Sequence, residues 1–245
     1  LAAMREGLAA RDYARVMRAA AIALKAPMPA AVPLARAAFD EATALLSLDE
    51  ELADELTYRA QELVELEALD ADWSYEALAH PETCRFTVAA LLMPHRIILK
   101  EAPPEVRKRL MQALDSTARG GVAAAEAASA LLGAKAIGAR NPRLRAVFSR
   151  APLAARARLL DDFIHREVPL GPVWPALEEL LTTTDESALV HLREHACLLP
   201  WGGHAKRLLE VYPRVVDPHL RATFRAYLDV LKEVEEYWQD HADEV

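Results

Sequence analysis

The stretch Leu220–Trp238, LRATFRAYLDVLKEVEEYW, sets Leu220, Phe224, Leu228, Leu231, Val234 and Trp238 three or four residues apart. Steps of three and four return to one side of a 3.6-residue turn, so the six form a single apolar stripe on an amphipathic helix. The same spacing recurs in Leu48, Leu52, Leu56, Leu63 and Leu66, in Val106, Leu110 and Leu114, and in Leu153, Ala157, Leu160 and Ile164. Strict apolar–polar alternation, the mark of a half-buried strand, is not found.

Punctuation agrees with the stripes. Eight glycines, fifteen prolines and an abundance of Ala, Leu, Arg and Glu favour helices ended by sharp stops. Ser47-Leu48-Asp49-Glu50 and Thr183-Thr184-Asp185-Glu186 have the capping-box form, in which a hydroxyl and a carboxylate satisfy the first free backbone donors of a helix. The alanine-rich run from Val122 is expected to end near Gly138. The predicted fold is all-α, about ten amphipathic helices in antiparallel hairpins, arranged as an α-solenoid or an irregular helical bundle. A single domain over 1–245 is expected, with Gly120-Gly121 the natural place for a subdivision into 1–119 and 122–245; Pro169-Leu170-Gly171-Pro172 is a second candidate hinge.

Arg11-Asp12-Tyr13-Ala14, with Ala20, Ala23-Leu24 and Pro27, resembles the second helix of a tetratricopeptide repeat. In that family small residues let paired helices pack closely and a proline ends the unit. The resemblance covers one helix and implies a helical-repeat scaffold.

Two cysteines, Cys84 and Cys197, are too few for a disulfide framework and lack metal-ligand spacing, so buried thiols in a reducing, cytoplasmic setting are expected. The start Leu-Ala-Ala-Met-Arg-Glu has no secretory pattern. The longest apolar run, Val122 to Ile137, is interrupted by Glu126 and Lys135, and a membrane span is not expected.

Charge is segregated. Residues 40–82 carry fourteen acids against Arg59 alone, residues 107–158 carry eleven bases against Asp115 and Glu126, and the last seventeen residues carry seven acids against Lys232. Arg107, Lys108, Arg109, Arg140, Arg143, Arg145 and Arg150 are the candidate binding surface. Trp201, between Pro200 and Gly202-Gly203, is either a packed plug or an exposed anchor of the kind that dominates interfaces, and on the second reading joins that surface. The blocks either neighbour one another within the folded domain or act as complementary patches, which fix register and raise association rates; the leading functional expectation is a non-catalytic scaffold that binds a protein partner or itself. A nucleic-acid backbone is the alternative occupant of the basic region, although the block lacks the interleaved aromatics that stack bases.

His191-Leu192-Arg193-Glu194-His195 is the one enzyme-like string. It resembles the inverzincin peptidases, and the resemblance implies zinc held by His191 and His195, with Glu194 as general base and a further glutamate downstream. No strand pattern precedes Leu189, and the alternative is a solvated helix flank carrying two histidines. Asp161, Asp162 and His165, and Glu76 with His80, are weaker neighbours of the same kind. No GxxxxGK[ST] loop, GxGxxG fingerprint or GxSxG elbow occurs, so nucleotide and nucleophile-elbow chemistry has no support. No other cofactor is expected.

Overall fold

The computed structural model describes residues 1–25, 28–43, 63, 71–95, 104–195 and 205–240. Thirteen α-helices and three short 3₁₀ turns lie among them, with no strand among the described residues. The expected all-α class is correct. Contacts gather into two units, Leu1–Gly138 and Ala139–Val245.

In the first unit α1 (Ala2–Ala9) packs on α2 (Tyr13–Lys25), which packs in turn on α3 (Ala31–Thr43). Gly7 of α1 is what lets the first pair approach: a β-carbon there would stand 2.7 Å from Val16 Cγ2. Next come α4 (Ala71–Ala77), α5 (Cys84–His95), α6 (Pro104–Ala113) and α7 (Val122–Gly133). Helix α7 lies against both α5 and α6. Its alanines Ala123, Ala124, Ala125, Ala127, Ala128 and Ala130 are all buried, as a helix apolar on every side must be. The stripe Val106, Leu110, Leu114 is fully buried, as its period requires.

One ionic strut ties this unit together. Arg119 precedes Gly120 and Gly121, and all three take positive φ, so the backbone turns sharply before α7. The Arg119 guanidinium donates to Pro81 O at 2.9 Å, to Thr87 Oγ1 at 2.8 Å and to both oxygens of Glu126. The turn is thus a fixed junction inside the unit that joins α5 to α7.

The second unit contains α8 (Pro142–Arg150), α9 (Leu153–His165), α10 (Trp174–Leu181), α11 (Glu186–His195), α12 (Ala205–Val211) and α13 (Pro218–Asp240). Helix α9 is its centre, touching α8, α10 and α11, while α13 lies on α11 and α12. Phe148 and Phe163 meet with ring centroids 5.1 Å apart. On the opening stripe Leu220 and Phe224 are buried and Leu228 is half-buried; Leu231, Val234 and Trp238 lie outside the described side chains.

Arg156 is the strut of this unit and is only 8% exposed. It donates to Ala151 O at 2.8 Å and Ser149 O at 3.2 Å, which end α8, and to Ala176 O at 3.3 Å and Glu179 Oε2 at 2.6 Å on α10. Five fixed donors let one guanidinium satisfy carbonyls that the end of α8 leaves without helical partners.

Helix ends differ from the sequence reading in two places. Helix α7 stops at Gly133, not near Gly138, because Lys135 takes the left-handed conformation (φ 55°) and Ala136 N–H returns to Leu131 O. The same Schellman closure ends α1 at Arg11 and α9 at Glu167. These termini use charged residues where glycine is the usual choice, and so carry no glycine signal in the sequence. Helix α11 is capped by Asp185, whose Oδ1 accepts from Ser187 N–H at 3.0 Å, while Thr183 Oγ1 accepts from Asp185 N–H. The cap lies two residues later than the Thr183–Glu186 box implies. The Ser47 box lies outside the described residues.

Candidate functional site

The basic block divides between the two units. Arg107, Lys108 and Arg109 stand on α6 in the first. Arg107 donates to Ala136 O at 2.6 Å, and Arg109 donates to Tyr75 Oη at 3.1 Å with its guanidinium 4.8 Å from that ring's centroid. Arg119 and Arg156 are the internal struts already described, so the cationic surface is smaller than the count of eleven bases implies.

Arg140, Arg143, Arg145 and Arg150 belong to the second unit, on and just before α8. Asn141 caps this helix, its Oδ1 accepting from Arg143 N–H at 3.0 Å, and Pro142 occupies the first turn, where its missing N–H costs nothing. Arg143 and Arg150 take part in interactions of their own. Arg140 and Arg145 are both exposed, and neither guanidinium has a hydrogen bond or ion pair among the described residues.

Those two arginines border one recess of about 330 Å³. Its floor is apolar and buried: Leu144 from α8, Val168 from the end of α9, and Val173 from the turn before α10. Pro142, Pro169 and Pro172 form exposed walls, and Ala139 and Asn141 complete the lining. The floor follows from local backbone chemistry. Glu167 in the left-handed conformation closes α9, Val168 N–H bonds Phe163 O at 2.8 Å, and the Val168 side chain is buried. A valine at this second residue past the helix end supplies the apolar contact that accompanies a Schellman closure.

Having no N–H, Pro142, Pro169 and Pro172 offer no backbone donor to a ligand. The charged donors at this mouth are the guanidinium groups of Arg140 and Arg145, a kind that pairs with carboxylate or phosphate in a fork. From Ala139 to Leu160 the chain has six arginines and no acid.

The histidine string lies on α11. His191 is half-buried, Glu194 is exposed, and the His195 side chain lies outside the described residues. Arg193, between them, is bound to Glu186 and to Asp217. Among the described residues no three His, Cys, Asp or Glu side chains come together in a way that holds a metal ion. His165 pairs instead with Asp161 at 3.0 Å and His80 with Glu82 at 3.5 Å.

Cys84 is buried beneath Thr43 O, and burial pushes its thiol above the ordinary value, away from the reactive thiolate. Cys197, Trp201 and residues 44–62 and 64–70 of the acidic block lie outside the described residues. Among the described residues no helix is long and apolar enough to cross a membrane.

Sequence reasoning found Arg140 and Arg145 through charge alone. It missed Val168, Val173 and the proline walls, whose one signal, the stretch Pro169–Pro172, reads as a hinge. Comparison of the chain with protein-family models, with curated proteins and with solved structures finds no significant match.

Proposed function

We propose that the chain is a non-catalytic, cytoplasmic helical adaptor that binds an acidic segment of a protein partner through the basic mouth of the recess beside α8. The observation that carries this reading is the pair Arg140 and Arg145, exposed on one recess with no intramolecular counter-charge among the described residues. Surface arginines with a structural task bond to carboxylates or carbonyls, as Arg193 and Arg107 do. These two are left for an external anion, and an open mouth over an apolar floor suits a segment lying on the surface.

An irregular helical-repeat arrangement is part of the proposal. It is supported by the consecutive packing of α1 on α2 and α2 on α3, and by the glycine-mediated approach of the first pair, within the segment that resembles a tetratricopeptide helix.

Fluorescence anisotropy with labelled glutamate-rich octapeptides, at low and high salt, tests the reading. Saturable binding that weakens with salt and disappears in the Arg140→Glu/Arg145→Glu variant is the expected result. Absence of binding, or binding indifferent to the charge reversal, refutes it. A labelled RNA or DNA duplex that binds more tightly than any peptide through the same two arginines also refutes it, in favour of a nucleic-acid partner.

A further inference from the structure

We infer that the recess beside α8 reads a two-part signature: a carboxylate held across Arg140 and Arg145, and next to it a large apolar side chain seated on Leu144, Val168 and Val173. The inference rests on the adaptor reading and names the chemistry of its partner.

A purely electrostatic patch has no need of an apolar floor. Here three buried aliphatic residues line the bottom, and the recess measures about 330 Å³. An apolar cavity of roughly 150 Å³ is enough to hold benzene, so a phenyl ring or a leucine side chain fits. Desolvating such a side chain against Leu144, Val168 and Val173 supplies binding free energy that two exposed arginines, screened by salt, do not.

The mouth favours a side chain presented by a segment over a free small molecule. Arg140, Pro142, Arg145, Pro169 and Pro172 are all exposed around it, whereas small-ligand sites bury most of their ligand. A segment fixed by its own chain needs only its anchor covered. No strand stands among the described residues, so the recess offers no sheet edge for strand addition. Recognition therefore falls to side chains, charge at the lip and apolar surface below.

Four labelled octapeptides on the full chain separate the parts: Glu-Glu-Phe, Glu-Glu-Ala, Gln-Gln-Phe and Gln-Gln-Ala at the centre of a glycine–serine background. The Glu-Glu-Phe peptide is expected to bind at least about tenfold more tightly than Glu-Glu-Ala, and at least about tenfold more tightly than Gln-Gln-Phe. Arg140→Gln/Arg145→Gln should abolish the second difference. Ala139→Trp, which narrows the recess from its half-exposed lip, should abolish the first. The wild-type peptide series reads the signature even if that variant fails to fold.

Equal affinity for Glu-Glu-Phe and Glu-Glu-Ala, both lost on removing the arginines, overturns the anchor and leaves the adaptor reading standing. No binding by any of the four overturns both. Free 3-phenylpropionate binding as tightly as Glu-Glu-Phe overturns the inference in favour of a small-molecule site. A concentration-dependent dimer in sedimentation, abolished by Arg140→Gln/Arg145→Gln, overturns it in favour of a second copy of the chain.

Discussion

Arg193 Nη2 lies 2.7 Å from Asp217 Oδ2, while the other oxygen of Asp217 accepts the Leu220 backbone N–H at 2.9 Å. A residue at the centre of the histidine string thereby anchors α11 to the cap of α13. Asp217 is only 6% exposed, so removing its partner strands a buried carboxylate. Arg193→Ala is expected to lower the urea midpoint of the protein. Asp217→Asn, which keeps a good capping oxygen, should lower it about half as much. Urea unfolding followed by circular dichroism measures both, and an Asn variant worse than Arg193→Ala contradicts the assignment.

Acid should remove the contribution of this pair. The hydrogen bond from Arg193 holds the Asp217 carboxyl below the ordinary carboxylate range, against the opposing effect of burial. A depressed folded value means that folding favours the ionised form. The stability is complete above the unfolded value of about 3.9 and is lost as pH falls through it towards the folded value. The difference in urea midpoint between wild type and Asp217→Asn should stay flat from about pH 8 to about pH 5 and close below about pH 4. Asp185, held down by the Ser187 hydroxyl and N–H, titrates in the same sense. A difference that widens on acidification removes Arg193 as the cause.

Helix type was legible because period and burial are the same fact: Val106, Leu110 and Leu114 recur on one face and are buried together. Charge was legible only as composition. Arg119 and Arg156 counted towards the eleven bases of residues 107–158, yet their partners Thr87 and Glu179 stand 32 and 23 residues away. No local pattern shows such a pairing. The recess was half legible for a similar reason: Arg140 and Arg145 are neighbours in sequence, but Val168 and Val173 reach them only through the fold. Its other half depends on Glu167 adopting a backbone conformation that sequence rules reserve for glycine.

Arg156 offers a direct test of the strut. Truncation to alanine leaves Ser149 O, Ala151 O and Ala176 O without their donor. Arg156→Ala is expected to cost about 3 kcal/mol or more, and Arg156→Lys should recover little, since one ammonium does not reproduce a planar fork. Glu179→Gln should stay within about 1 kcal/mol, because that carboxylate is 62% exposed and its attraction is screened. If Glu179→Gln proves as harmful as Arg156→Ala, the ion pair and not the carbonyl network holds α8 to α10.

The approach of α1 to α2 carries the last prediction. A β-carbon on Gly7 stands 2.7 Å from Val16 Cγ2, closer than any relaxed contact, and Val16 is fully buried. Valine in a helix has one strongly preferred rotamer, so the methyl cannot swing aside. Glycine ordinarily weakens a helix relative to alanine by roughly 0.5–1 kcal/mol, and in an open position Gly7→Ala would be stabilising. Here overpacking, of about 1–3 kcal/mol, should outweigh that gain and make the variant less stable. The cause is separable from propensity by a second change. In the Val16→Ala background the offending methyl is gone, so Gly7→Ala should become neutral or stabilising, and the double-mutant cycle should show a coupling of about 1 kcal/mol or more. Independent, additive effects would mean that α1 and α2 are not held at the distance Gly7 permits.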